Sequence, residues 1–442
     1  MYSLLRDDYA RRFGCRPNKQ LLEEAIARLR LGAEASAPQQ VFVRVGAYCS
    51  GPGFDLARGD AILVDRGFRG GKQNFIVVDA AGVRLQDTAP VVFRRPKGTM
   101  PLPIPELDQP ASVRDWLNFL VPAGIEEESK IMIAAYCLGS LMPLIPQPHL
   151  LLVGPQGSGK SRLARSLVQV LDPASVELRR PARDEREFFI ALHNRHIVAF
   201  DNVSQMPRWL ADGLCSASSG TGFAVRQLYS DANEVQFTGK HGCIITSICP
   251  PCLQPDFLDR VLLVELKGGG DRLSDLELDQ DVQALAPFLR GALLRALQHG
   301  LQRWHTVYVP PGSQIRLFDL QRLLLAASSS PFLGWTPDEI NAALRENQRR
   351  IQQLQVDWSP ILYLLVEISG EGFCGRMSDL LKELEARAPK IQARRGDLPR
   401  STEELARTMR YLEGPLRAAG VIVERRRGGG KSNPRLIVLR MA

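Results

Sequence analysis

At 442 residues, with 45% hydrophobic and 24% charged residues, the chain can bury two or three cores and has the balance of a globular protein, which excludes wholesale disorder and a membrane-embedded body. Its formal charge of +8 points to a polyanionic partner, nucleic acid ahead of an anionic membrane surface. The opening Met1-Tyr-Ser-Leu-Leu-Arg-Asp-Asp lacks the basic flank and apolar run of an export leader, so the expected compartment is the cytoplasm, where the eight scattered cysteines remain free thiols.

Residues 1–40 form a helical segment, with Leu21, Leu22, Ala25, Ile26 and Leu29 at helical spacing. Residues 41–96 change to short β-type runs starting at Val41, Ala61, Phe75 and Val91, which read as a small β module. Prolines 96, 101, 103, 105 and 110 stiffen a linker that continues as helices through residue 147. The most apolar stretch, Ile131 to Pro146, is shorter than the roughly 20 residues that cross a bilayer and contains Pro143, so it reads as a buried helix. From 148 to 330 strands and helices alternate, which implies a parallel sheet covered by helices and then a helical lid from Asp279 to Ser328. A linker helix over 331–360 leads to a last domain, 361–442, of helices followed by a two-stranded ribbon.

Between the apolar strand Leu150–Val153 and the helix Lys160–Leu171 lies Gly154-Pro155-Gln156-Gly157-Ser158-Gly159-Lys160-Ser161, a phosphate-loop pattern in the context its chemistry requires. Glycines let the backbone approach phosphates, loop N–H groups and the helix N-terminus attract anions, Lys160 neutralises the outer phosphates and Ser161 binds magnesium. These residues predict ATP and Mg2+ as cofactors. Forty residues on, the strand Ile197–Phe200 ends in Asp201, the metal-side carboxylate and second magnesium ligand, followed by Asn202. An amide at 202 orients water but cannot take its proton, which leaves Asp212 or Glu234 as alternative bases. The strand Gly242–Ile248 brings Thr246 and Ser247 toward the water or the γ-phosphate. Arg260, ahead of the strand at Val261, is placed to act as an arginine finger on a neighbouring subunit's nucleotide, or else to pair with Asp259 or Asp256. Arg316, at the start of a helix, is a candidate nucleotide sensor from the lid.

His241, Cys243, Cys249 and Cys252 lie close in sequence, but Cys243 falls inside an apolar strand, whose alternating side chains do not converge on one metal.

The stretch Gly154 to Leu266 resembles the AAA+ ATP-binding proteins and helicases of phages and bacterial mobile elements, often the helicase part of primase-helicases. The likeness is carried by Phe200-Asp201-Asn202-Val203-Ser204, Asp212-Gly213-Leu214-Cys215, Ser219 to Phe223, Arg226 to Tyr229, Glu234 and Asp256-Phe257-Leu258-Asp259-Arg260, and more weakly by Val41–Arg44, Phe54–Leu56 and Val92–Pro96. Such proteins are similar to superfamily III and minichromosome-maintenance helicases. The resemblance implies an α/β AAA+ core with a helical lid, a hexameric ring threading DNA, and a separate primase as partner. The chain departs from the family at Thr246, where an Asn is usual, and at His241-Gly242, where Arg-Pro is usual.

Two regions are expected to meet DNA. A β-hairpin over 223–237 carries Arg226, with Lys240 beside it; in the resembling helicases such a hairpin points into the ring channel, while the polar, acidic tip here suits a structural contact with the next subunit nearly as well. In the last domain the helices Met377–Ala386 and Ser401–Ala419 with the ribbon after Val421 read as a winged helix, whose wing carries Arg425, Arg426, Arg427, Lys431 and Arg435. The expected function is an ATP-driven DNA helicase in replication of a mobile element. The alternatives are a DNA-binding AAA+ regulator or assembly ATPase with little unwinding, and a scaffold that binds ATP without turnover.

Overall fold

The computed structural model describes residues 2–34, 39–68, 72–122, 124–220, 223–226, 234–237, 239–252, 254–268, 275–388, 398–427 and 435–441. The chain forms two compact units, Met1–Phe42 and Val43–Ala442. The first holds the helices Tyr2–Phe13 and Lys19–Glu34. Asn18 opens the second of these, its side-chain oxygen accepting from the Leu21 N–H at 2.7 Å, the bond that satisfies an orphan donor at a helix start.

The second unit begins with an antiparallel meander, Val45–Tyr48, Ala61–Asp65, Phe75–Asp79 and Gly82–Gln86, paired in chain order. Its fourth strand was not legible as a β run, because only Val83 and Leu85 are apolar. It forms because Asp79 accepts from the Ala81 N–H at 2.9 Å, closing a tight turn that returns the chain. Side chains alternate across this sheet. Val45, Ile62, Val64, Ile76 and Val78 join the main hydrophobic core, while Ala61, Leu63 and Val77 are covered by Ala89, Val91 and Phe93.

The proline-rich stretch is strapped down rather than free. Leu102 is fully buried, its N–H donating to the Arg66 carbonyl at 2.8 Å and its own carbonyl accepting from Arg66 Nε at 3.1 Å. Glu106 N–H donates to the Pro287 carbonyl of the helix Asp275–Arg303, and its backbone passes so close that a Cβ on Gly291 would stand 1.8 Å from the Glu106 oxygen.

The central sheet is parallel, with strands in the order Val261–Glu265, His149–Val153, Cys243–Ser247, Val198–Phe200 and Leu178–Arg179. Leu150 and Leu152 enter one core with the helix Lys160–Leu171, whereas Leu151 and Val153 enter another with the helices Glu185–His193 and Arg208–Ser219. Period-two alternation thus puts helices on both faces. The helix Glu127–Ser140 is buried throughout from Ile131, and among the described residues no helix is long and apolar enough to cross a membrane. The outer strand Val261–Glu265 is closed by a side chain: Asn347, on the helix Pro337–Trp358, accepts from Leu263 N–H at 2.8 Å and donates to the Val261 carbonyl at 3.1 Å.

The C-terminal region has its own core. Helices Pro360–Glu371, Met377–Arg387 and Thr402–Ala418 pack on a three-stranded antiparallel sheet in the order Phe373–Gly375, Arg435–Met441, Val421–Arg427.

Candidate functional site

The phosphate loop leaves the strand His149–Val153 and turns into the helix Lys160–Leu171. Gly154 is required by a close approach, since a Cβ there would lie 2.2 Å from the Leu266 carbonyl. Gly159, with φ 87°, supplies the left-handed turn that starts the helix. Lys160 Nζ donates to the carbonyls of Gly154 and Pro155, each at 2.7 Å, so its ammonium sits over the loop. Burial lowers the Lys160 pKa and the nearby Asp201 opposes that shift.

Asp201 is the hub of the site. Ser161 Oγ donates to Asp201 Oδ1 at 2.7 Å, and Thr246 Oγ1 donates to the same oxygen at 2.6 Å. Thr246 Oγ1 also accepts from the Asn202 N–H at 2.8 Å. Two neighbouring parallel strands and the loop helix therefore converge on one carboxylate. Asn202 has φ 57°, a left-handed conformation that Asn adopts at less cost than most residues. Ser247 Oγ turns away and donates to the Val203 carbonyl at 2.6 Å.

Beside Asp201 and Asn202 opens a cleft lined by Arg179, Arg180, Arg183 and Glu187. Motif spacing along the chain does not assign these residues to the site. The run Arg179-Arg180-Pro181-Ala182-Arg183 is visible in the sequence, but only the pairing of Leu178–Arg179 with Ala199–Phe200 carries it to Asp201. Nor does it assign a charged network flanking the loop, in which Glu126 accepts from Lys267 at 2.8 Å and from Arg350 at 2.6 Å.

Arg260 and Arg316 are not part of this constellation. The parallel register pairs Val261 with His149 and Glu265 with Val153, so Arg260 lies at the end of the sheet opposite the phosphate loop, about 20 Å away along the strand. Arg260 is 7% exposed and donates to Asp256 Oδ1 at 2.7 Å. Arg316 lies beside Asp259 and Leu258 at that same end, away from the loop of its own chain. Asp212 is exposed and pairs with Arg208 at 3.6 Å.

The hairpin strands Phe223–Arg226 and Glu234–Phe237 pair antiparallel with Arg226 opposite Glu234. The side chains of Arg226 and Glu234 lie outside the described residues, as does Lys431. Lys240 is half-buried and donates to the Leu144 carbonyl, a tie within the core rather than an open phosphate contact. Arg425, Arg426, Arg427 and Arg435 are exposed on the C-terminal ribbon, with Arg427 opposite Arg435. Cys243 is buried in its strand, and among the described residues no three potential ligands gather for a metal.

Among solved structures the chain is similar to an active helicase, SCCmec type IV Cch, at 10% identity over 98% of this chain and 85% of that one, with a TM-score of 0.42. It is also similar to an apo form of the C-terminal region of NrS-1, at 12% identity over 77% of this chain and 76% of that one, with a TM-score of 0.34. Likenesses this distant carry no argument about mechanism. No curated protein matches the chain. Residues 116–313 match the family described as actinomycete integrative conjugative element replication protein, and residues 361–442 match the C-terminal domain of that replication protein, RepA. By these two matches, which follow one another along one chain, residues 116–313 and 361–442 belong to the replication proteins of actinomycete integrative conjugative elements.

Proposed function

We propose that the protein is an AAA+ ATPase that works on DNA as a hexameric helicase during replication of its mobile element, in the cytoplasm. The observation that carries the reading is the 2.7 Å bond between Ser161 Oγ and Asp201 Oδ1 beside Lys160, the pairing that a magnesium–nucleotide site requires. The sheet order supports the AAA+ assignment, and the three helices with their antiparallel sheet support a winged helix at the C-terminus.

The donor set fits magnesium, because a hydroxyl and a carboxylate are hard oxygen ligands that leave room for substrate phosphates. When bound, the ion would neutralise charge on the outer phosphates. The chain's own groups do the rest. Backbone N–H groups of residues 157–161 would hold phosphate oxygens, Lys160 would exchange its carbonyl partners for the outer phosphates, and Thr246 would fix the Asp201 carboxylate and the Asn202 backbone. Asn202 would orient the attacking water. Arg260 and Arg316, remote from their own loop, would serve a neighbouring copy's nucleotide, which is the argument for a ring. A separate primase would supply primers.

A second reading, a DNA-binding regulator or assembly ATPase with little unwinding, is favoured by Asn202, which has no carboxylate to accept a proton. Phosphate release by wild type and Lys160→Ala, each with and without single-stranded DNA, separates the two. Turnover that DNA stimulates and the substitution abolishes supports the motor. Turnover indifferent to DNA overturns it in favour of the regulator.

A further inference from the structure

The ribbon arginines look equivalent in sequence, yet the structure divides them. Arg425 donates to the carboxylate of Glu413 on the helix Thr402–Ala418, and Arg426 donates to Glu424. Arg440 reaches the same Glu424 from the adjacent strand at 3.0 Å. Two carboxylates therefore hold three guanidinium groups. Arg427 and Arg435 stand opposite each other where the described ribbon ends, and among the described residues neither has a carboxylate partner.

A residue outside the ribbon joins them. Arg410 is exposed on the helix face that also carries Ala406 and Thr402, one and two turns earlier. With Arg427 and Arg435, and with the paired Arg425 and Arg426, it lines a concave surface between helix and ribbon, where among the described residues Glu403 is the single carboxylate and no aromatic side chain contributes.

We propose that Arg410, Arg427 and Arg435 are the phosphate-binding residues of this domain, that they grip the backbone of a DNA duplex, and that Glu413 and Glu424 withhold Arg425 and Arg426 from it. The proposal deepens the DNA reading above and rests on it. An unpaired arginine that meets a phosphate releases counterions outright, whereas a paired one must first give up a charge-assisted bond. The curved face between a helix and a two-stranded ribbon follows a duplex. Single-strand sites need stacking aromatics, and among the described residues this lining has none.

The test uses the full chain and a labelled mixed-sequence duplex titrated between 50 and 200 mM salt, with a single strand of the same sequence in parallel. The variants are Arg410→Gln/Arg427→Gln/Arg435→Gln, Arg425→Gln/Arg426→Gln, Glu424→Gln, and Glu385→Gln as a charge control on an exposed helix face. The triple variant is expected to lose at least about tenfold in affinity at 100 mM salt and to flatten the salt slope by roughly 2 to 3, at about 0.9 per phosphate contact. The double variant should lose less than about threefold, and Glu424→Gln should bind more tightly than Glu385→Gln, because it frees two guanidinium groups as well as removing a charge. Equal losses in the triple and double variants, or equal gains in the two glutamine controls, would overturn the division of the arginines. Tighter binding of the single strand would overturn the choice of a duplex. A wild-type chain that binds neither at 50 mM salt would instead sink the DNA reading on which the proposal rests.

Discussion

Arg44 Nε lies 2.8 Å from Asp172 Oδ1, with both side chains buried. Asp172 terminates the phosphate-loop helix, and its second oxygen accepts from the His196 and Ile197 N–H groups at 3.0 and 3.2 Å, just before the strand that ends at Asp201. The Arg44 guanidinium also donates to the carbonyls of Asp65 at 2.8 Å and Met100 at 2.7 Å. One ion pair thereby ties the antiparallel sheet to both elements of the candidate site, and Arg44 holds a left-handed backbone, φ 63°, to make it.

Breaking that pair from one side leaves the other charge buried. Arg44→Met and Asp172→Asn are each expected to cost about 3–5 kcal/mol in urea unfolding, with the double Arg44→Met/Asp172→Leu recovering much of the loss. Single variants as stable as wild type would show that the pair contributes little.

Thr246 joins Asp201 to the backbone of Asn202 through one hydroxyl. Thr246→Val deprives both of that partner, a loss of about 1–3 kcal/mol, and should lower ATP turnover at least about tenfold. Thr246→Ser should restore it. Phosphate release by the two variants decides the matter, and a fully active valine variant would remove the positioning role.

Gly154→Ala introduces a methyl group 2.2 Å from the Leu266 carbonyl, backbone that cannot swing aside. Overpacking of this kind costs about 1–3 kcal/mol and here displaces the loop. Calorimetry should show weakened nucleotide binding together with a lower melting temperature.

His149 is buried and His241 half-buried, and desolvation pushes the pKa of each down to about 4. His149 is held neutral, its Nε2 donating to the Leu214 carbonyl and its Nδ1 accepting from Cys243 N–H. Unfolded, each binds a proton near pH 6.5, so between about 6.5 and 4 the unfolded state carries more protons. Stability is therefore full above pH 6.5 and falls as pH drops toward 4, by up to about 3 kcal/mol for each histidine. A thermal midpoint that stays flat from pH 7 to 4.5 would contradict this.

The loop Gly154–Ser161, the strand ending at Asp201 and the buried helix after Ile131 were legible in the sequence because each rests on local rules: glycine spacing, an apolar run of set length, a polar residue at its end. So were the hairpin, the helices and the ribbon of the last domain. The fourth strand of the meander was not, since two apolar residues make no pattern until a neighbour pairs with them. Whether a charge is open or held is equally a matter of tertiary structure. Arg427 and Arg425 differ in nothing along the chain, and only the approach of Glu413 separates them. Distance in space likewise set Arg260 and Arg316 at the far end of the sheet from Lys160, and brought Arg44 across 128 positions to Asp172. Local propensity and spacing are written in sequence, whereas the partner of a charge depends on which surfaces the folded chain brings together.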